Sequence, residues 1–270
     1  MVFFYKRFRQ KGITVVEVVL YIIVFVYGIM FGSFMNVCIY RIPKEESVVY
    51  IQSHCVNCNK KIPWYDLIPL LSYFILRGKC RSCKSKISIQ YPLIELLNGL
   101  LYVLTFIVMG WSITTVLSCF VISALIVLSI IDFRTYTINI WINIFILVMG
   151  IIKLITEIIE TSDLSLIIYY LLGLVSVSGF LLIIYLVTSG RGIGMGDVNL
   201  MAAAGIFLGV KLIVLAFLLG CILGSIIHMI LIRFFKHDRV LAFGPYLSFG
   251  IIISILYGES LIAWYINYLI

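Results

Sequence analysis

Arg191-Gly192-Ile193-Gly194-Met195-Gly196-Asp197 interrupts two long apolar runs, 165–187 and 198–210, and ends on a carboxylate. Glycine-rich sequence of this kind reads as a break between helices rather than a passage through one. The flanking runs are continuous rather than alternating, the pattern of helices in hydrocarbon and not of strands. A second carboxylate, Asp132, directly follows another apolar run, LIVLSII at 125–131. The fold and the chemistry both turn on where these two acids come to lie.

The wider composition fixes the solvent. The 270 residues are 63% hydrophobic and only 12% charged, more apolar surface than a water-soluble domain can bury. A spanning helix needs about 20 residues. The runs near 13–40, 92–110, 113–131, 139–155, 165–187, 198–210, 212–235 and 243–258 therefore predict an all-α, polytopic transmembrane bundle of about eight spans. The formal net charge is +8, and nine of the 20 Lys and Arg lie between Arg41 and Lys86. Basic residues collect on the cytoplasmic side of membrane proteins, so this cluster marks a cytoplasmic loop and not a nucleic-acid site. That orientation brings Asp132 and Asp197 to the inner edge, and makes 14 of the 20 basic residues cytoplasmic. It leaves the amino terminus outside, with Lys6, Arg7, Arg9 and Lys11. The expected division is 1–43, tail and first span; 44–91, basic loop; 92–270, membrane core. The first apolar run has no obvious small-residue cleavage site, so no removable secretory signal is expected.

Within the loop, CVNCNKKI (55–62) and CRSCKSKI (80–87) carry Cys, Cys, Lys and Ile at the same offsets. This is an internal repeat. Two CxxC pairs separated by 21 residues suit a tetrahedral zinc site with Cys55, Cys58, Cys80 and Cys83 as ligands. Four thiolates close the coordination sphere, so such a metal is structural. His54, next to the first knuckle, is a bystander. WYDLIPLLSYFIL (64–76) is too short to span comfortably and too apolar for a free loop, and is expected against the bilayer or the bundle.

Each aspartate has an ordinary reading. Asp197 opens the run VNLMAAAGIFLG and could be a helix N-cap. Asp132 sits at a helix end, where the dipole disfavours an anion, and could pair with Arg134. Together they suggest more. Two carboxyl groups sharing a water do not easily both ionise; one can then activate the water while the other polarises a carbonyl. Gly192, Gly194 and Gly196 lack side chains, which leaves room for an extended peptide to lie against the backbone. No Ser–His–Asp arrangement competes, since His228 and His237 read as structural or interfacial.

With these residues in hand, the chain resembles the bacterial type IV prepilin peptidases. The resemblance covers FGSFMNVCIYRIP (31–43), the four loop cysteines, WYDLIPLLSYFILRGKC (64–80), SIQYPLIELLNG (88–99), Asp132, GIGMGDVNLMAAAG (192–205) and FGPYLSFG (243–250). Gly194-Met195-Gly196-Asp197 also matches the GxGD pattern of membrane aspartic proteases. The resemblance implies a multi-pass enzyme of the bacterial cytoplasmic membrane acting at its cytoplasmic face. Its substrates would be prepilins or pseudopilins, cut after a glycine, with the new amino terminus methylated from S-adenosylmethionine. By the same resemblance Asp132 and Asp197 are the catalytic pair, the four cysteines hold zinc, and Gly32, Ser33 and Phe34 belong to the methyl-transfer region.

The chain departs from that pattern at Ile138-Asn139-Ile140, where the family usually has Ile-Pro-Asp, and at Val198-Asn199, where a lysine is common. KGITVVE (11–17) itself looks like a prepilin leader junction, which raises self-processing after Gly12. Two readings from other classes stay open. A transporter would gather its carboxylates near the midplane, and a secretion-assembly scaffold with a zinc-stabilised loop would not need them. A preflagellin-type peptidase is disfavoured by the cysteine loop.

Overall fold

The computed structural model describes residues 14–50, 52–235 and 242–269. Among these the regular structure is helical, and the only β pairing is two isolated bridges in the cysteine loop. The chain divides into two compact units, Met1–Gly110 and Trp111–Ile270.

In the first unit, α1 (Val15–Arg41) opens on a capping box: Thr14 accepts from the Glu17 amide, and Glu17 reaches back to the Thr14 amide. This gives Glu17 a helix-starting role of its own. Lys11, Gly12 and Ile13 of the leader-like stretch lie outside the described residues. A short helix, α2 (Leu71–Ile75), sits within the loop, and α3 (Gln90–Met109) carries Pro92 in its first turn, where its missing N–H is harmless. α1 and α3 meet through glycine. A Cβ on Gly28 would fall 2.7 Å from Gly99 Cα, and one on Gly32 would fall 2.6 Å from Glu95 Cα. Small residues four apart thus bring the two backbones together. The polar residues within this contact are bonded. Asn98 Nδ2 donates to Gly28 O at 2.8 Å, and Asn36 Nδ2 to Gly32 O and Tyr91 O at 3.2 and 3.1 Å.

The second unit holds α4 (Ile113–Thr135), α5 (Ile140–Thr161), α6 (Ser165–Val187), α7 (Met195–Phe235) and α8 (Gly244–Leu269). Side-chain caps set the starts: Ser112 accepts from the Thr115 amide, and Asn139 from the Trp141 amide at 2.9 Å. Asn139 thereby starts α5 with its own side chain.

At Gly209 in α7 the backbone leaves helical geometry, with φ 74° and ψ 172°. Neighbours before and after it reveal a reversal. Gly205 and Gly209 pack on Gly173 of α6, but beyond Gly209 it is Phe217 that meets Phe180, farther along α6 in the opposite sense. Gly220 and Gly224 then run antiparallel to α8, against Leu247 and Phe243. The first half, α7a (195–208), is antiparallel to α6 and parallel to α5; the second half, α7b (210–235), turns back. Seven described helices are long and apolar enough to cross a membrane. That is one fewer than the eight runs read from the sequence, because 198–210 and 212–235 fall in the single helix α7; the protein is a multi-pass membrane protein. Three helices outrun their predicted ends at 131, 155 and 258: Asp132, Glu157 and Glu259 sit within α4, α5 and α8 rather than beyond them.

Candidate functional site

Asp132 and Asp197 meet at one end of the second unit. Asp132 lies in the last turn of α4 and is 4% exposed; Asp197 lies in the first turn of α7 and is 9% exposed. Asp132 lies near enough for its charge to act on Asp197. Asp132 Oδ2 accepts the backbone N–H of Gly244, the first residue of α8, at 2.9 Å. This bond supplies what a carboxylate at a helix C-terminus lacks, a donor opposing the dipole. Asp197 is the third helical residue and does not precede the helix, so it is not the N-cap. Its amide donates to Gly194 O at 3.2 Å, while its Oδ1 is buried with no hydrogen-bond partner in the protein. A buried carboxylate oxygen left in this state is poised for a water or substrate group.

The three glycines before Asp197 differ in use. Gly196 faces Ile138, where a Cβ would come within 2.8 Å of the Ile138 Cβ. Its small size therefore lets α7a approach the start of α5. Gly194 lies beside Asp197, with Oδ2 3.3 Å from where a Cβ would stand. Gly192 donates to Thr188 Oγ1 at 3.2 Å within the exposed loop. Sequence reasoning passed over Asn143, which is buried on α5, donates weakly to Gly196 O at 3.5 Å and leaves its own Oδ1 unpartnered. A polar residue inside an apolar helix was the available signal. It also passed over Gly244 as a partner of Asp132. Of the histidines, His228 is half-buried on α7b, and His237 lies outside the described residues.

The cysteine loop belongs to the first unit. Its repeat is structural as well as sequential. Cys55 N donates to Lys60 O and Cys80 N to Ser85 O, at 3.0 and 2.8 Å. Asn59 and Lys84, at matching positions, both take positive φ, 53° and 61°. The bridges His54–Lys61 and Lys79–Lys86 close the two knuckles alike. The four Sγ atoms lie within 4.8 Å of one another. Cys55 and Cys83 are 3.8 Å apart, and a tetrahedron with 2.3 Å zinc–sulfur bonds has edges of about 3.8 Å. The Ser85 hydroxyl and amide draw the Cys83 thiol down to about 6. The Cys58 amide lowers Cys55 as well. The Lys60 amide favours a Cys58 thiolate, but partial burial and hydrogen bonding to Cys55 and Cys83 outweigh it and push Cys58 up to about 11. Four such sulfurs do not ionise together without a cation, and the cluster fits zinc. Arg81, between the last two cysteines, clamps Asp66 by two bonds of 2.8 and 2.6 Å, tying the second knuckle to the turn after the first.

Beside the knuckles is a cavity of about 580 Å³, lined by Ser33, Asn36, Arg41, Leu70, Tyr91 and Glu95 among others. Glu95 is buried and accepts the Leu70 amide at 2.8 Å, holding a turn in which Leu70 has φ 60° and ψ −54°. Strain of this kind gathers at binding sites. Ser33 faces the cavity, Gly32 is spent on the contact with α3, and Phe34 is exposed.

A multi-pass helical membrane protein with two buried acids at one end of its bundle, and a four-thiol knuckle pair, has the parts of a membrane aspartic peptidase. Comparison with known proteins makes the class specific. Residues 26–109 match the bacterial peptidase A24 N-terminal domain, and residues 119–229 the type IV leader peptidase family. A prepilin leader peptidase/N-methyltransferase of Bacillus subtilis is 33% identical, over 91% of this chain and 97% of its own. Proteins of the same description from Aeromonas salmonicida and Legionella pneumophila are 30% and 28% identical, over 91% and 92% of this chain and 93% and 95% of theirs. No solved structure matches. The chain belongs to the type IV leader peptidase family and is a membrane enzyme of that family.

Proposed function

We propose that this protein cleaves the leader of type IV prepilins or pseudopilins after a glycine, at the cytoplasmic face of the bacterial membrane, using Asp132 and Asp197. The observation that carries this reading is the buried pair itself, with Asp197 Oδ1 left unpartnered beside a second carboxylate. One carboxylate, ionised, takes a proton from water; the other, protonated, donates to the scissile carbonyl oxygen. The water oxygen then bonds to the carbonyl carbon. Collapse of that adduct breaks the C–N bond as the first carboxyl returns its proton to the leaving amine and the second carboxylate takes back a proton from one hydroxyl, which re-forms the carbonyl. The Gly244 amide keeps Asp132 oriented through the cycle. The cytoplasmic orientation is supported by the basic loop, and the prepilin substrate by the printed names of the relatives.

The second proposed activity is methylation of the new amino terminus. The cavity beside the knuckles is of ligand size. Its buried Glu95 and polar Ser33 and Asn36 suit a cationic, polar molecule such as S-adenosylmethionine. When bound there, that molecule supplies the methyl group. Glu95 and Ser33 would hold and orient it, and Cys55, Cys58, Cys80 and Cys83, with zinc, would keep the wall beside it in shape.

The test is reconstitution in liposomes with a peptide that bears a basic leader, a glycine and an apolar helix. Mass analysis should find a cut after the glycine, with a methylated terminus only when S-adenosylmethionine is supplied. An uncut peptide under conditions where the protein is folded contradicts the reading.

A further inference from the structure

Lys153 is the most deeply placed cation in the described second unit, 9% exposed on α5. Its Nζ donates to Phe207 O at 2.7 Å. Glu157 Oε1 lies 3.6 Å away, Tyr170 donates to the other Glu157 oxygen, and Glu259 is within electrostatic reach. The rings of Phe207 and Tyr170 flank the ammonium at 4.9 and 5.2 Å. An ammonium inside a hydrocarbon-embedded bundle is expensive. An apolar side chain would fill the space with less penalty, so the group is informative where it stands.

Phe207 is two residues before the break at Gly209, so its carbonyl has no onward helical partner. Lys153 caps α7a at that end. At the other end Asn143, also on α5, reaches Gly196 O, next to Asp197. Asn143, Ile146, Gly150 and Lys153 form one buried stripe with three- and four-residue spacing, a single face of the helix. Gly150 between the anchors presses directly on Ile206 and Phe207. Contacts among small and apolar residues allow a helix to slide along its neighbour; two bonds to backbone carbonyls eleven residues apart do not.

We infer that α5 is a splint that fixes the axial position of α7a, and that Lys153 is a positioning residue for Asp197 about 15 Å away along that half-helix. The inference rests on the reading of Asp197 as part of the hydrolytic pair. α5 follows α4 after a four-residue link, 136–139, so the helix that bears Asp132 leads directly into the splint for Asp197.

The experiment is steady-state cleavage of the leader peptide by the full chain in liposomes. Lys153→Met should lower kcat by roughly 10- to 100-fold, the scale of an ångström-sized misplacement, with KM changed less than about threefold. Lys153→Arg, which keeps a cationic donor, should recover most of the loss. A wild-type kcat in Lys153→Met, a loss carried by KM, or an Arg variant no better than Met overturns the inference. Should Lys153→Met not yield folded protein, Asn143→Ala is read by the same kcat and KM criteria, and an unchanged kcat overturns it. Asp197→Asn is run alongside. If it still cleaves, the hydrolytic reading of Asp197 has failed. If it is inactive while Lys153→Met is unaffected, the splint alone has failed.

Discussion

Gly244 donates its backbone N–H to Asp132 Oδ2 at 2.9 Å across 112 residues of sequence, and a Cβ on Gly244 would stand 2.7 Å from that same oxygen. The contact accepts no side chain. Gly244→Ala should therefore displace the Asp132 carboxylate and lower kcat by roughly 10-fold or more, while the protein still inserts and folds. Cleavage kinetics on the purified variant checks this, with size-exclusion behaviour as the control for folding.

Asn139 tests how this chain starts α5. Its side chain accepts the Trp141 amide at 2.9 Å. Asn139→Ala should destabilise the second unit by about 1 kcal/mol, and Asn139→Ser or Asn139→Asp by much less. Thermal unfolding midpoints in one detergent, compared across the three variants, give the order.

Much of this was readable in the residues. Continuous apolar runs gave the helical segments, and the matching offsets of two CxxC units anticipated two knuckles of one geometry. Gly28 and Gly32, four apart, are a spacing that permits close helix approach, though not one that names α3 as the partner. The reversal at Gly209 was legible as length, since 198–235 is too long for one span. What stayed hidden shares one physical character. The partners of Asp132, Asn143 and Lys153 are backbone groups of Gly244, Gly196 and Phe207. Every residue has an amide and a carbonyl, so side-chain identity cannot say which of them is reached. Glu157, just past the predicted end at 155, lies within α5, because a charge beside an apolar run signals either an interface or a buried partner, and only packing decides.

The knuckles predict a separation of effects. Removing metal with a strong chelator, or Cys58→Ser, should open the loop between 52 and 88 to proteases. Peptide cleavage should fall less than methylation does, because the thiol cluster adjoins the cavity of the first unit. Metal content by atomic spectroscopy, limited proteolysis and the two product masses report this together. Cleavage and methylation lost in equal measure would count against the assignment of the cavity.

The loop should also resist mild acid where the Arg81–Asp66 clamp is concerned. The Arg81 guanidinium bonds to Asp66 and holds its carboxyl below the ordinary carboxylate range. A group whose folded value is depressed lends stability above its unfolded value and loses it as pH falls through the folded one. The clamp is thus at full strength from neutral pH down to about 5, and fails only below about 4. Protease sensitivity of wild type and Asp66→Asn should differ at pH 7 and 5 and converge at strong acid. Equal sensitivity at pH 7 would deny the clamp a role.

The central claim is that Asp132 and Asp197 act as one hydrolytic pair at one end of the helical bundle. The most direct measurement is cleavage of a glycine-containing leader peptide by liposome-embedded Asp132→Asn and Asp197→Asn, each verified as folded and with its metal content intact. The account predicts that neither variant releases leader above background while wild type does. Release by either variant at a rate near wild type would contradict it.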